Sequence, residues 1–189
     1  MTMTLTCGTP SLSVVSWGIM SLDESIGEKY CAACGSALEV KEVQGKPRPV
    51  CVNCQRVVYH DPKIAATCVV ARRGKILMIQ RDTPVGRGLW SMPGGYIDRG
   101  EVVEDGAARE VLEETGLQVE VQGLVGLFSE AGNPVVVAAF AARETGGSLK
   151  AGPEAQDVGF FPLGKLPPLA FPRDQLILNQ WRELSGRGR

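Results

Sequence analysis

Residues 109–117 read REVLEETGL, three acids and one arginine in nine positions. Glu110, Glu113 and Glu114 fall at i, i+3 and i+4. On a helix they share one face, with neighbouring Cβ atoms roughly 5–6 Å apart, a spacing at which like charges destabilise the helix. At about 100° per residue the three glutamates cover one arc. Ala107, Ala108, Val111 and Leu112 cover another and are expected to pack on a sheet. The spacing predicts a helix over 102–115, closed by Gly116 in a left-handed conformation.

Something must offset the repulsion along that helix. No lysine follows these acids at i+4, as a solvated face would favour. The segment before the helix carries Pro93, Gly94 and Gly95, whose glycines let backbone approach a ligand closely. Glu101 and Arg109 can brace this loop against the helix as an acid–base pair. Clustered carboxylate oxygens suit Mg²⁺, which keeps several waters and bridges carboxylates to substrate phosphates. Such a cation polarises a phosphoryl oxygen and acidifies a bound water. The acidic face is therefore expected to be neutralised by a divalent metal that brings a phosphate with it.

The full pattern is Gly95, five residues, Glu101, seven residues, then Arg109-Glu110-Val111-Leu112-Glu113-Glu114-Thr115-Gly116-Leu117. It resembles the Nudix box, the loop–helix–loop signature of hydrolases that act on a nucleoside diphosphate linked to another moiety. The resemblance implies an α/β/α sandwich with a mixed, curved sheet. It implies Glu110 and Glu114 as main ligands of Mg²⁺ or Mn²⁺, Glu113 as a third carboxylate, and the Gly94–Gly95 carbonyl region, Gly95 above all, as a further ligand. Glu101 and Arg109 are implied to hold the glutamates in place. Arg81 resembles a phosphate or substrate contact; its other reading is a solvated strand-end arginine. Water would attack a phosphorus while a carboxylate takes its proton. That base is expected from the loop AGPEAQD, with Glu154 the first candidate and Asp157 the second.

A second constraint lies upstream. Cys31-x2-Cys34 and Cys51-x2-Cys54 flank sixteen residues and resemble a zinc ribbon, with four thiolates placed tetrahedrally around Zn²⁺. Four sulfur ligands close the site, so the role is structural. It would hold a segment of about thirty residues, too small for its own core. His60, the one histidine, is expected at the surface, and Cys68 in the core. The cysteine usage points to a reducing cytoplasm.

The rest of the chain fits this division. Residues 1–28 are expected to form a poorly ordered tail, 29–61 the ribbon and 62–189 the hydrolase domain. Met20 is a second candidate start within that tail. KPRP at 46–49 reads as a turn between the cysteine pairs, and 59–63 as a connector. Strands are expected at 64–72 and 75–81 around RRG, in two segments after the helix, and at the start of 158–167. Residues 83–95 read as loop, and 172–184 as a closing amphipathic helix. A formal charge of −1 excludes bulk attraction to nucleic acid or an anionic membrane. No apolar run is long enough to span a bilayer.

A ribbon joined to a Nudix domain is similar to the NADH pyrophosphatases and to a group acting on ADP-ribose or FAD. The SQPWPFPxS-type segment of the former is absent: that region reads LFSEAGNPVVVAAF. LPPLAFP, at 166–172, resembles the ADP-ribose/FAD group. The expected partner is thus a small nucleotide, with NADH or a nucleoside triphosphate as alternatives. Phe128, Phe140, Phe160 and Trp90 are candidates to stack on its rings. A non-catalytic nucleotide sensor that binds nucleic acid is the rival class, disfavoured by the intact box. A homodimer is expected.

Overall fold

The structure, a computed structural model, describes residues 28–187. The expected N-terminal tail lies outside them, apart from Glu28. The described residues fall into two compact units that divide between His60 and Asp61.

The first unit is built on a hairpin of β1 (Leu38–Val43) and β2 (Lys46–Cys51). Residues 46–49 are therefore strand, not turn. The reversal falls two residues earlier, at Gln44 and Gly45, with φ of 54° and 72°. Two successive left-handed residues match the right-handed twist of a hairpin. Pro47 and Pro49 fit because each strand of a two-stranded sheet is an edge, where a missing N–H costs little. The Pro49 carbonyl is still used, accepting from the Val58 N–H at 2.8 Å.

The second unit holds one mixed sheet of seven strands. They are β3 (Lys63–Arg72), β4 (Lys75–Arg81), β5 (Trp90–Ser91), β6 (Gly94–Tyr96), β7 (Leu117–Phe128), β8 (Val135–Gly147) and β9 (Ala155–Pro162). Its two helices are α1 (Val103–Thr115) and α2 (Pro172–Arg187). The β3–β8 pair is parallel and the other pairs are antiparallel. Strand alternation divides the core. Cys68 and Val70 of β3, Leu77 of β4 and Phe140 of β8 pack with Ala107 and Val111 of α1. Val69, Ile76, Met78 and Ala139, their neighbours of opposite parity, pack with Ile177 and Leu178 of α2. This is the expected sandwich, with one helix on each face.

The sheet divides where the site lies. β3 and β4 pair only beside their turn, at Ala71–Ile76 and Arg72–Lys75. Farther along, β3 takes β6 as its neighbour, while β4 takes β5 and β9. The stretch read as loop, 83–95, thus contains two very short strands. Strands of two and three residues are specified by the partners they meet, not by a local pattern.

The helix differs from its expected face in one respect. Leu112 is half-exposed and Ala108 only partly covered, whereas Glu114 and Thr115 are buried beside Ala107 and Val111. The i, i+4, i+7, i+8 row from Ala107 reaches Glu114 and Thr115, so one acid of the comb lies on the core side. Gly116 closes the helix as expected, with φ of 69° and its N–H donating to the Leu112 carbonyl.

Candidate active site

A cleft of about 860 Å³ opens between the two halves of the split sheet. Glu110, Glu113 and Glu114 reach it from α1, Gly94 and Gly95 from β6, and Glu154 from the loop before β9. All residues of the expected metal set therefore line one cavity.

Arg109 answers much of the repulsion along the helix. Its Nε and second terminal nitrogen donate to the two oxygens of Glu101 at 2.8 and 3.0 Å. The other terminal nitrogen donates to Glu110 at 2.8 Å and to Glu113 at 3.1 Å. Glu101 also accepts the Asp98 N–H at 3.0 Å, which ties the loop to the helix as expected. The Arg109 guanidinium holds the Glu101 carboxyl down to about 2. Gly106 makes room for this pair: a Cβ there would stand 2.8 Å from a Glu101 oxygen. Gly95 has the same relation to Glu110, whose carboxylate would meet a Cβ at 2.5 Å.

Glu114 is the acid on the core side, 6% exposed. One of its oxygens accepts the Gly94 N–H at 2.8 Å, tying the start of β6 to the helix. Burial pushes its carboxyl up to about 7, and the charges of Glu110 and Glu154 add to the effect. Burial raises Glu110 in the same direction, against the pull of Arg109. Two carboxyls pushed toward their neutral forms in a cleft lined by acids would gain from a bound cation. The donor set, all hard oxygens, fits Mg²⁺ or Mn²⁺.

A pH dependence follows. The folded-state value of Glu114 lies above its ordinary 4.5, so folded protein binds more protons between pH 4.5 and about 7. The stability this supplies is complete below pH 4.5 and is lost as pH rises through 7. A gap of that size corresponds to about 3 kcal/mol. In buffer without added divalent ions the melting temperature is expected to fall between pH 5.5 and 8, and less so in Glu114→Gln. A rise over that range would show that Glu114 is ionised throughout.

The other expected residues divide. Arg81 lines the cleft, with its Nε donating to the Val85 carbonyl at 2.9 Å and a terminal nitrogen to Thr83 at 2.7 Å. Asp157 does not line it; its carboxylate accepts the N–H of Val158 at 2.8 Å. The four aromatic candidates also lie elsewhere. Phe140 is core, Trp90 packs edge-on against Phe161, Phe160 lies under Arg72, and Phe128 borders the second core cluster. The aromatics that do line the cleft are Tyr96 and Phe171. Tyr96 ends the short strand β6, and Phe171 directly precedes α2. Ser91 and Asp174 were also not anticipated: both are buried polar residues lining the cleft.

In the first unit the four expected cysteine sulfurs lie within 4.8 Å of one another. Cys31 and Cys54 are 3.7 Å apart and Cys34 and Cys51 3.4 Å. A tetrahedron with bonds of about 2.3 Å has edges of about 3.8 Å, so the set fits Zn²⁺. Each pair turns through a left-handed residue, Gly35 or Gln55, whose N–H returns to the carbonyl of the first cysteine. The Ser36 backbone and hydroxyl hold Cys34 down to about 6, toward the thiolate that a metal requires. His60 is exposed, and Cys68 is buried with its thiol pushed up to about 12 by burial.

The NUDIX domain profile matches residues 61–180, the unit that carries the cleft. The chain belongs to the Nudix family. That membership makes it a hydrolase of the pyrophosphohydrolase type. It is 35% identical over 133 residues to an ADP-ribose pyrophosphatase of Methanocaldococcus jannaschii, covering 68% of this chain and 79% of that protein. It is 32% identical over 149 residues to the NAD-capped RNA hydrolase NudC of Chromobacterium violaceum, covering 76% of this chain and 54% of the other. The Nudix chain thus spans about half the length of that NudC relative. A crystal structure of a NUDIX hydrolase from Nitrosomonas europaea superposes with a TM-score of 0.79 at 28% identity, over 85% of this chain and 94% of that one. Among the described residues no helix is long and apolar enough to cross a membrane.

Proposed function

We propose that this Nudix hydrolase cleaves the diphosphate of ADP-ribose in a reaction that depends on Mg²⁺ or Mn²⁺. The observation that carries the reading is the convergence of Glu110, Glu113, Glu114 and Glu154 on one cleft with Gly94 and Gly95 of β6. The similarity to an ADP-ribose pyrophosphatase supports the substrate. Likeness to NudC supports a second reading, an NAD-type dinucleotide. FAD has the same ADP half and remains a competitor.

The metal would be held by Glu110, Glu113 and Glu114 with the Gly95 carbonyl. When bound, it supplies charge for the diphosphate oxygens and acidity for a water. Arg109 keeps Glu110 and Glu113 aimed by a fixed fork of donors. Glu114 holds the start of β6 through the Gly94 N–H. Glu154 reaches the cleft from the opposite half of the sheet and takes the proton of the attacking water. We assign Zn²⁺ in the four-cysteine site a structural role in the first unit, which we read as a zinc ribbon.

A screen of ADP-ribose, FAD, NADH, diadenosine polyphosphates and dNTPs, with and without Mg²⁺, tests the reading. ADP-ribose is expected to give AMP and ribose 5-phosphate most efficiently. Absence of turnover on every compound would refute catalysis. Glu154→Gln is expected to lower kcat by about 10²- to 10⁴-fold with little change in the Mg²⁺ dependence. Wild-type turnover in that variant would remove Glu154 from the role of base.

A further inference from the structure

Glu154 lines the cleft from a loop that is fastened at both ends. Upstream, the N–H groups of Ser148, Lys150 and Gly152 donate in turn to the carbonyls of Gly116, Thr115 and Glu114, at 3.1, 2.9 and 2.9 Å. The last carbonyls of a helix have no partner within it, so this loop closes the end of α1 that carries Glu113 and Glu114. Gly152 lies so near that a Cβ on it would overlap the Glu113 carbonyl.

Downstream, the loop is fastened to the end of β4. The Asp82 N–H donates to the Glu154 carbonyl at 2.9 Å. β9 pairs Asp157 with Gln80 and Ala155 with Arg81, which leaves Gln156 as an extra residue, a bulge. An unbroken register would set Ala155 opposite Asp82; the bulge sets Glu154 there instead. A slip of one residue exchanges the faces of a strand, so the bulge decides which way Glu154 is turned.

The bulge has its own fastening. The Gln156 side-chain amide donates to an Asp82 carboxylate oxygen at 2.9 Å, and the same oxygen accepts from Arg87 at 2.9 Å. Gln156 is exposed and the Asp82 side chain is 38% exposed, so these bonds add little to the stability of the fold. What they fix is one geometry of the loop. Neither Asp82 nor Gln156 lines the cleft, so neither meets a substrate there.

We propose that Asp82 and Gln156 are positioning residues for Glu154: their side-chain bond holds the β9 bulge, and the bulge aims the Glu154 carboxylate at the attacking water. This rests on the reading of Glu154 as the base that takes the proton of that water.

Asp82→Ala and Gln156→Ala remove the bond from either side, and either variant decides alone if the other fails to fold. With ADP-ribose and Mg²⁺, each is expected to lower kcat by about 10-fold, less than the roughly 10²-fold that a misplacement of about 1 Å can cause. KM and the Mg²⁺ dependence are expected to stay unchanged. Asp82→Asn keeps an oxygen for the Gln156 amide and is expected to retain most of the rate. The decisive measurement makes the two alanine substitutions in Glu154→Gln. A residue that acts only through Glu154 then has nothing left to position, so kcat is expected to stay at the Glu154→Gln value. The same loss in both backgrounds, a change confined to KM, or wild-type kcat in the alanine variants would overturn the proposal and leave Glu154 as the base. If Glu154→Gln itself turns over like wild type, or if wild-type protein turns over no substrate, the reading of Glu154 as base fails and the proposal falls with it.

Discussion

Glu114→Gln is expected to lower kcat by about 10³-fold at saturating Mg²⁺ while raising the melting temperature of the metal-free protein at pH 8. The two effects have one origin. Glutamine keeps an oxygen to accept the Gly94 N–H, so the start of β6 stays tied to the helix. What it removes is a negative charge at a position only 6% exposed. Without metal that charge is a burden, since burial and the neighbouring Glu110 and Glu154 all favour the neutral form. Its loss stabilises the metal-free fold at pH 8 by up to about 3 kcal/mol. With metal the same charge is a ligand, and several kcal/mol of transition-state stabilisation leave with it, each 1.36 kcal/mol being about tenfold in rate. Steady-state kinetics and thermal melts on one preparation check both signs. Retention of activity within about tenfold would mean that Glu114 serves to hold β6 and not a cation.

Removal of the metal from the four-cysteine site is expected to unfold the first unit and spare the second. A hairpin with two cysteine turns buries little besides Cys31, Val50 and Cys51. A unit of this size seldom folds without a metal or disulfide, and structural zinc contributes roughly 10–16 kcal/mol in small domains. The cysteines here are free thiols whose spacing fits a tetrahedron, so their cross-link would be the ion. Hydrogen exchange on the full chain, with a zinc chelator or in Cys51→Ser, is expected to show protection lost across β1 and β2. Peptides from β3, β7 and β8 should keep theirs, because their core clusters include no residue of the first unit. Release of about one zinc per chain should accompany the loss. Protection retained in β1 and β2 after metal release would show that the hairpin stands on its own packing.

The acidic comb and the cysteine pairs were legible because each is local: spacing alone puts those residues on one face or in one turn. Gly116 ends its helix, and Arg72–Lys75 closes its hairpin, for the same reason. Gly94 and Gly95, expected in a turn, lie instead in a strand that β3 specifies. The reading failed where the answer depended on a distant partner. KPRP looked like a turn because prolines break most strands, yet an edge tolerates them. Phe140 and Phe160 looked like stacking groups, but strand parity turned one into the core and placed the other under Arg72.

Local chemistry thus specified which side chains would gather at the site: a helix with a 3.6-residue period must bring Glu110, Glu113 and Glu114 together wherever it sits. Their environment was left to the fold. Packing against β3 buried Glu114 and left Glu113 half in solvent. The splitting of β3 from β4 opened the cleft, and α2 brought Asp174 into the same cleft as Ser91, far away in the chain. Solvent exclusion and long-range contact are properties of the assembled sheet and helices, and no window of sequence contains them.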